Sequence, residues 1–220
     1  MNIKQNRIGV IGCGFVGNAV VQQFKKKYDE VNIYDTDKEK CTHYNMSAFL
    51  NSSDVVFICV PTPMGDNGEC DTSIVQSVID EIANNDYEDG QPIILKSTVV
   101  VGTTKRLQER HPHLNLFFNP EFLREKNAVN DYLQQTRIIL GHEKKHTGYY
   151  LASLVRQIFD RVFPKIPFIM VDTKTAEMVK YVTNTYLATK VSFANEINKL
   201  CELSDIDYDD MMDIAQYDKR

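Results

Sequence analysis

Close to the amino terminus an apolar run, Ile8-Gly9-Val10-Ile11, passes directly into Gly12-Cys13-Gly14-Phe15-Val16-Gly17, and a helical pattern opens inside that hexapeptide. Glycines spaced G-x-G-x-x-G between a strand and a helix make a turn that few architectures accept. Gly12 permits the tight turn. Gly14 lacks a side chain where a pyrophosphate must approach the backbone, and Gly17 lets the helix pack close to the strand. The helix tip then directs unbonded N–H groups and the positive end of its dipole at the phosphates. Asp35 closes the next apolar run, at the distance expected of a carboxylate that accepts hydrogen bonds from the adenosine ribose hydroxyls. No Arg follows it to pair with a 2′-phosphate, so the expected cofactor is NAD rather than NADP. FAD uses the same loop and is the rival at this level, although nothing else in the chain resembles a flavin site.

The rest of the chain repeats the alternation that such a turn requires. Strands are expected at Arg7–Ile11, Val31–Tyr34, Val55–Val60, Pro92–Lys96, Leu114–Phe118 and Thr136–Leu140, with Phe168–Val171 as a last edge strand. Helical patterns fall at Phe15–Lys27, Thr72–Asn84, Thr103–Glu109 and His146–Phe163. Strands alternating with helices mean a parallel sheet, and strands this continuously apolar are covered on both faces. The fold class is therefore α/β, a Rossmann-like, doubly wound, mostly parallel sheet. From Asp172 a capping Asp-Thr pair opens a helical pattern without Gly or Pro that runs to about Leu203, and a further helix is expected from Asp205 to Tyr217. Met178, Val179, Val182, Leu187, Val191 and Ile197 spread over much of the long helix, so it should be buried against something larger, a partner subunit being the plausible cover.

Composition narrows the partners. A net charge of -5 argues against general binding to nucleic acid or to anionic membranes. Lys25-Lys26-Lys27 closes the first helix, where cations suit the negative end, and reads as a solvated face. A polar amino terminus and apolar runs cut by glycine read as neither a signal peptide nor a membrane span, so the protein is expected to be cytoplasmic. Cys13, Cys41, Cys59, Cys70 and Cys201 show no paired spacing for zinc or disulfides. They read as reduced structural thiols, with Cys41 and Cys201 on helices, Cys59 in a strand and Cys70 in a polar loop.

Four more segments carry a resemblance. Val60-Pro61-Thr62-Pro63, Lys96-Ser97-Thr98-Val99 and Asn119-Pro120-Glu121-Phe122-Leu123-Arg124-Glu125 leave the third, fourth and fifth strands, and Ala176-Glu177-Met178-Val179-Lys180-Tyr181-Val182-Thr183-Asn184-Thr185 lies on the long helix. In this order they resemble the UDP-glucose/GDP-mannose dehydrogenase family over essentially the whole chain. The first three lie at carboxyl ends of strands, the rim where open α/β sheets bind ligands. The cofactor-binding set is then Gly12, Gly14, Phe15, Val16, Gly17, Asp35, Lys40, Thr62, Thr98 and Glu125. The resemblance implies that Thr98 also helps orient a water and that Glu121, Phe122, Leu123, Arg124 and Glu125 line a nucleotide-sugar pocket. It makes Glu121 the candidate general base. Lys180 and Asn184, one turn apart, project from one face of the long helix and suit an oxyanion. Arg220 in Asp218-Lys219-Arg220 matches an arginine that in relatives reaches the neighbouring subunit's substrate pocket, which implies a homodimer. The catalytic set is Thr98, Glu121, Lys180 and Asn184, with no metal.

By that resemblance, residues 1–172 form an NAD-binding Rossmann domain, and 173–220 form a connecting helix and the start of a central helical dimerisation domain. The implied reaction oxidises UDP-glucose to UDP-glucuronate in two hydride transfers through a cysteine thioester, a step of polysaccharide biosynthesis; GDP-mannose is the second candidate substrate. The family's Gly-Gly-x-Cys segment and distal sugar domain are not among these residues, so turnover by them alone is not expected. A non-catalytic NAD-binding module is the alternative. His142-Glu143-Lys144-Lys145-His146 fits H-E-x-x-H formally, but two lysines and flanking glycines make it an exposed turn rather than a zinc site. His111 and His113 around Pro112 read as surface residues. Asp66-Asn67-Gly68-Glu69 lacks the terminal ligands of a calcium loop and reads as a hairpin-like turn.

Overall fold

The computed structural model describes residues 7–85, 90–143 and 146–218. The chain divides into two compact units, Met1–Lys180 and Tyr181–Arg220.

The first unit is built on seven strands, β1 (Ile8–Ile11), β2 (Val31–Tyr34), β3 (Val55–Ile58), β4 (Pro92–Leu95), β5 (Asn115–Phe118), β6 (Ile138–Gly141) and β7 (Phe168–Val171). Their order is β2-β1-β3-β4-β5-β6-β7. The first five pair in parallel; β6 meets β5 antiparallel at Phe118 and Gly141, and β7 returns parallel to β6. Chain order reverses at β1, between β2 and β3, and such a switch point opens a crevice outside the strands' carboxyl ends.

Side chains alternate across this sheet, and the two resulting cores explain why the strands read as unbroken apolar runs. Val10, Val55, Phe57, Ile94, Phe117 and Leu140 face one side, against α1 (Phe15–Phe24), α5 (Ala128–Leu133) and α6 (His146–Val162). Ile11, Val56, Ile58, Ile93, Leu95 and Phe118 face the other, against α2 (Met46–Asn51), α3 (Ser73–Ala83) and α4 (Thr103–Arg110). Phe24, Phe57 and Phe159 pack edge to face with centroids 5.2–5.8 Å apart, each pair contributing about 0.5–1.5 kcal/mol beyond its buried area.

The last helix of this unit, α7 (Thr173–Leu203), continues into the second. Asp172 caps it, Oδ1 accepting from the Thr175 amide at 2.9 Å and Oδ2 from the Thr175 hydroxyl at 2.6 Å. The second unit holds the remainder of α7 and α8 (Tyr208–Ala215). Between them Asp205 takes φ 54°, and Asp207 caps α8 by accepting from the Asp210 amide at 2.9 Å.

β2 and β7 span the residues expected, and the other strands shift by one or two residues at their ends. Two short helices, α2 and α5, and two 3₁₀ turns, Lys38–Lys40 and Glu125–Asn127, were not expected. Each is under two turns long, too short to show a helical period. Cys41 is corrected: it follows the first 3₁₀ turn in extended conformation, its thiol donating to the Asp35 carbonyl at 3.1 Å. Among the described residues no helix is long and apolar enough to cross a membrane.

Candidate functional site

Backbone geometry at the end of β1 requires glycine at two points. Gly12 has φ +84°, and a Cβ there would meet the Cys59 carbonyl oxygen at 2.8 Å. Gly17 presses on the turn, so that its Cβ would run into the Gly12 carbonyl oxygen. Gly14 is different: a Cβ there would meet nothing within 4 Å. It forms the N-cap of α1 without a side-chain cap, which leaves the helix tip open to an anion. Phe15 beside it is 61% exposed and shares a cleft of about 430 Å³ with Asn18, Lys26, Glu125 and Asn127. Thus two members of the expected cofactor set, one from α1 and one from the Glu125–Asn127 turn, reach the same hollow. A larger cleft of about 730 Å³, between the hairpin at Gly65–Cys70 and α3, contains none of the assigned residues.

Asp35 follows β2 and turns back toward the glycine loop. Its Oδ2 accepts from the Cys13 amide at 2.5 Å and its Oδ1 from the Asp37 amide at 2.8 Å. Burial pulls its pKa upward, but those amides and nearby Lys40 outweigh it and hold the carboxyl below its ordinary range. Lys40 itself pairs with Asp37 at 3.2 Å. The same carboxylate works against Cys13, whose thiol is pushed up first by burial and then by Asp35.

Along the rim, short polar contacts fasten one strand end to the next. Ser97 donates from Oγ to the Val60 carbonyl at 2.6 Å, joining the loop that carries Thr98 to the one that carries Thr62. The Cys70 thiol reaches the Thr98 carbonyl at 3.5 Å from the hairpin whose ends pair Met64 with Cys70, so Asp66–Glu69 form the turn expected. Thr62 and Thr98 are both half-buried.

Beyond β4 and β5 the rim holds a buried cation. Lys96 is 2% exposed, donates to Asn119 Oδ1 at 2.6 Å and lies 5.2 Å from the centre of the Tyr132 ring. Burial lowers its pKa to about 8, against the opposing pull of Cys59 and Glu121. Asn119 in turn donates to the Ile139 carbonyl at 2.6 Å, which anchors the start of the Asn119–Glu125 loop.

Two residues later Glu121 meets Lys180. The ammonium donates to Glu121 Oε1 at 2.5 Å and to the Glu121 carbonyl at 2.6 Å, and Glu121 Oε2 accepts from the Leu123 amide at 2.7 Å. Lys180 also stands 5.8 Å from the Phe122 ring centre, while the Arg137 guanidinium covers that ring at 4.4 Å. Their side chains are only 6% and 11% exposed, and an ion pair this dry depends on such full hydrogen bonding.

Other assigned residues have different surroundings. Arg124 is engaged bidentately by Asp131, Nη2–Oδ1 at 2.8 Å and Nε–Oδ2 at 3.0 Å, on the exposed side of the loop. That guanidinium holds the Asp131 carboxyl well below the usual range. Leu123 packs partly on the core, and Glu125 is exposed. Asn184 is exposed on α7 within the second unit. Arg220 lies outside the described residues.

Two thiols are buried. Cys59 is buried, and burial pushes it up to about 12; Cys201 is buried in the second unit. The H-E-x-x-H turn needs correcting. His142 is not exposed but 4% accessible, packed beside Phe117 and edge-on to Tyr149, while Glu143 accepts from the Thr173 hydroxyl at 2.6 Å; Lys144 and Lys145 lie outside the described residues. The strand's last turn carries it inward. No group of three or more His, Cys, Asp or Glu side chains among the described residues is arranged to hold a metal. His111 is likewise pinned rather than loose, its Nε2 lying 2.6 Å from Asp80.

Two buried charged residues had no assigned role. Lys96 was visible only as a cation ending an apolar run, and Glu177 as an acid three residues before Lys180. Neither signal says what it touches.

Comparison with known proteins places this geometry. Residues 42–162 match the model described as UDP-glucose/GDP-mannose dehydrogenase family, NAD binding domain, and residues 174–220 match that family's central domain. An uncharacterized protein of Methanocaldococcus jannaschii is 38% identical over 157 residues, 70% of this chain and 17% of its own length. UDP-glucose 6-dehydrogenase of Rickettsia conorii is 35% identical over 186 residues, covering 81% of this chain and 41% of that enzyme. A crystal structure of a ternary complex of GDP-mannose dehydrogenase from Pseudomonas aeruginosa superposes with a TM-score of 0.82 at 26% identity, over 97% of this chain and 57% of that one. The chain spans about half or less of the length of the curated relatives it matches. With a glycine turn, a mostly parallel sheet and a rim of these loops, it belongs to the UDP-glucose/GDP-mannose dehydrogenase family.

Proposed function

We propose that these residues form the NAD-holding part of a cytoplasmic nucleotide-sugar dehydrogenase, with UDP-glucose oxidised to UDP-glucuronate as the first-choice reaction. The observation that carries the reading is the opening at Gly14, a bare helix tip beside a carboxylate held ionised by amides. A pyrophosphate suits the first and ribose hydroxyls suit the second. NAD supplies a hydride acceptor when bound. Asp35 and the helix tip orient it, Thr62 and Thr98 line the rim, and Glu121 and Lys180 offer a carboxylate and an ammonium toward the sugar. Lys180 is the donor for an oxyanion. Glu121 is the candidate base.

Curated relatives named for UDP-glucose support that substrate, and likeness to a GDP-mannose dehydrogenase structure supports GDP-mannose as the second. The domain reading is 1–172 for the dinucleotide and 173–220 for a helical, dimer-forming part, supported by the apolar residues exposed there. A second reading, NAD binding without turnover, is favoured by Cys13 and Cys59, because thiols raised by burial do not attack an aldehyde readily.

Calorimetric titration of the 220-residue protein with NAD, UDP-glucose and GDP-mannose tests both. NAD should bind, and Asp35→Ala should weaken it at least about tenfold, the worth of one charge-assisted hydrogen bond. Absence of binding at millimolar NAD sinks the proposal. Release of NADH together with UDP-glucuronate would overturn the reading without turnover.

A further inference from the structure

We propose that Glu177 is a positioning residue, which with Lys180 makes the start of α7 a single bar that fixes the Thr98 loop and the Glu121 loop relative to each other. Its significance for ligand binding rests on the reading of the rim given above.

Glu177 is fully buried, with 0% exposure. Its oxygens take the amides of Gly102 at 2.5 Å and Thr104 at 2.8 Å. These belong to the first turn of α4, where backbone N–H groups have no acceptor within the helix. Gly102 occupies the N-cap position and no local side chain caps it. Gly102 takes φ +90°, where a capping Ser, Asp or Asn would be strained, so the cap is not supplied at that position. Instead a carboxylate is brought from a helix more than 70 residues later and buried, which is expensive unless the bonds it makes are needed.

What those bonds add is a link. Thr98 lies in the short bridge between the end of β4 at Leu95 and the anchored amide of Gly102, so fastening Gly102 fastens the bridge. Three residues beyond Glu177, on the same side of the helix, Lys180 grips Glu121 by its carboxylate and its carbonyl. One helical turn therefore holds the loop assigned to the dinucleotide and the loop assigned to the sugar. A glutamine at 177 would keep the volume but present only one acceptor to two donors, leaving an amide unsatisfied.

Amide hydrogen exchange and NAD titration of the 220-residue protein test this. In Glu177→Gln, exchange at Gly102, Thr104 and Val99–Val101 should quicken about tenfold or more, while β1 amides keep their rates. NAD affinity should fall about fivefold, a loss of about 1 kcal/mol, with no further fall when Thr98→Val is already present. Glu177→Asp, which keeps both acceptor oxygens, should recover part of both effects. Unchanged exchange across Val99–Val101, or faster exchange everywhere including β1, overturns the proposal. Should Thr98→Val leave NAD affinity intact, the assignment of Thr98 to the cofactor fails, while the exchange rates still decide the bar. Should Glu177→Gln not fold, the unmutated protein decides it: Gly102 and Thr104 amides protected like strand amides support the bar, and amides exchanging as in a free peptide exclude it.

Discussion

The two units obey the same amphipathic rule with opposite results. In the first, apolar side chains of β1 to β6 are covered on both sheet faces, only the edge strand β7 exposing Ile169 and Met170, and even the charged residues Lys96, Glu177 and Lys180 are buried with partners. In the second, Cys201 is the one buried residue among those described, while Tyr186, Phe193, Leu203, Ile214 and Tyr217 are 63–85% exposed. A sheet between two helical layers closes its own core, whereas about forty residues of paired helix have too little volume to do so. Within a single chain, stability and dinucleotide geometry should therefore be properties of the first unit, and the apolar surface of the second should matter little to either.

The largest expected effect tests the self-contained core. Phe57→Ala, at the centre of the Phe24 and Phe159 cluster, should cost about 3–5 kcal/mol in denaturant unfolding. A loss below about 1 kcal/mol would mean the first core is looser than its burial implies.

Next is Gly17→Ala. The added methyl meets the Gly12 carbonyl, so the turn must shift, at about 1–3 kcal/mol, and NAD affinity should fall at least about tenfold. Retained affinity would separate ligand binding from the turn and break the comparison at its functional end.

Lys96 gives a smaller, pH-dependent effect. Its folded pKa of about 8 lies below its ordinary 10.5, so within that window the unfolded chain holds the proton and the folded one releases it. Raising pH from about 8 to 10.5 should therefore stabilise the protein relative to Lys96→Met, by at most about 1.4 kcal/mol per pH unit. Parallel stability curves for the two proteins would show that Lys96 is not dry.

Smallest of all, at protein concentrations low enough to keep it monomeric, Phe193→Ser should change unfolding stability by less than about 0.5 kcal/mol and leave NAD titration unaltered, because its 65% exposed ring has little cover within its own chain. A cost approaching that of Phe57→Ala would show that the second unit is covered in solution.

How much was readable beforehand follows from how far apart the interacting residues are. The glycine turn, the edges of β2 and β7 and the long helix depend on neighbours a few positions away, and their period and turn residues are written in order along the chain. Two-sided cover of β1 to β6 was legible for the same reason, as was the position of β7 at the edge. The family's loops marked the rim, but not which residues grip one another there. Lys180 reaches back 59 positions to Glu121, Lys96 forward 23 to Asn119, and Glu177 back 75 and 73 to two amides that any residue type would supply.

Such contacts leave no periodic trace, since a backbone amide has no letter of its own. The inward turn of His142 and the extended backbone at Cys41 escaped for the same reason. Local order along the chain thus settled which elements form and where an anion would find a helix tip. Packing of distant elements settled which charges are dry, which are paired and which loops are tied together, because burial and partnership are set by three-dimensional neighbours.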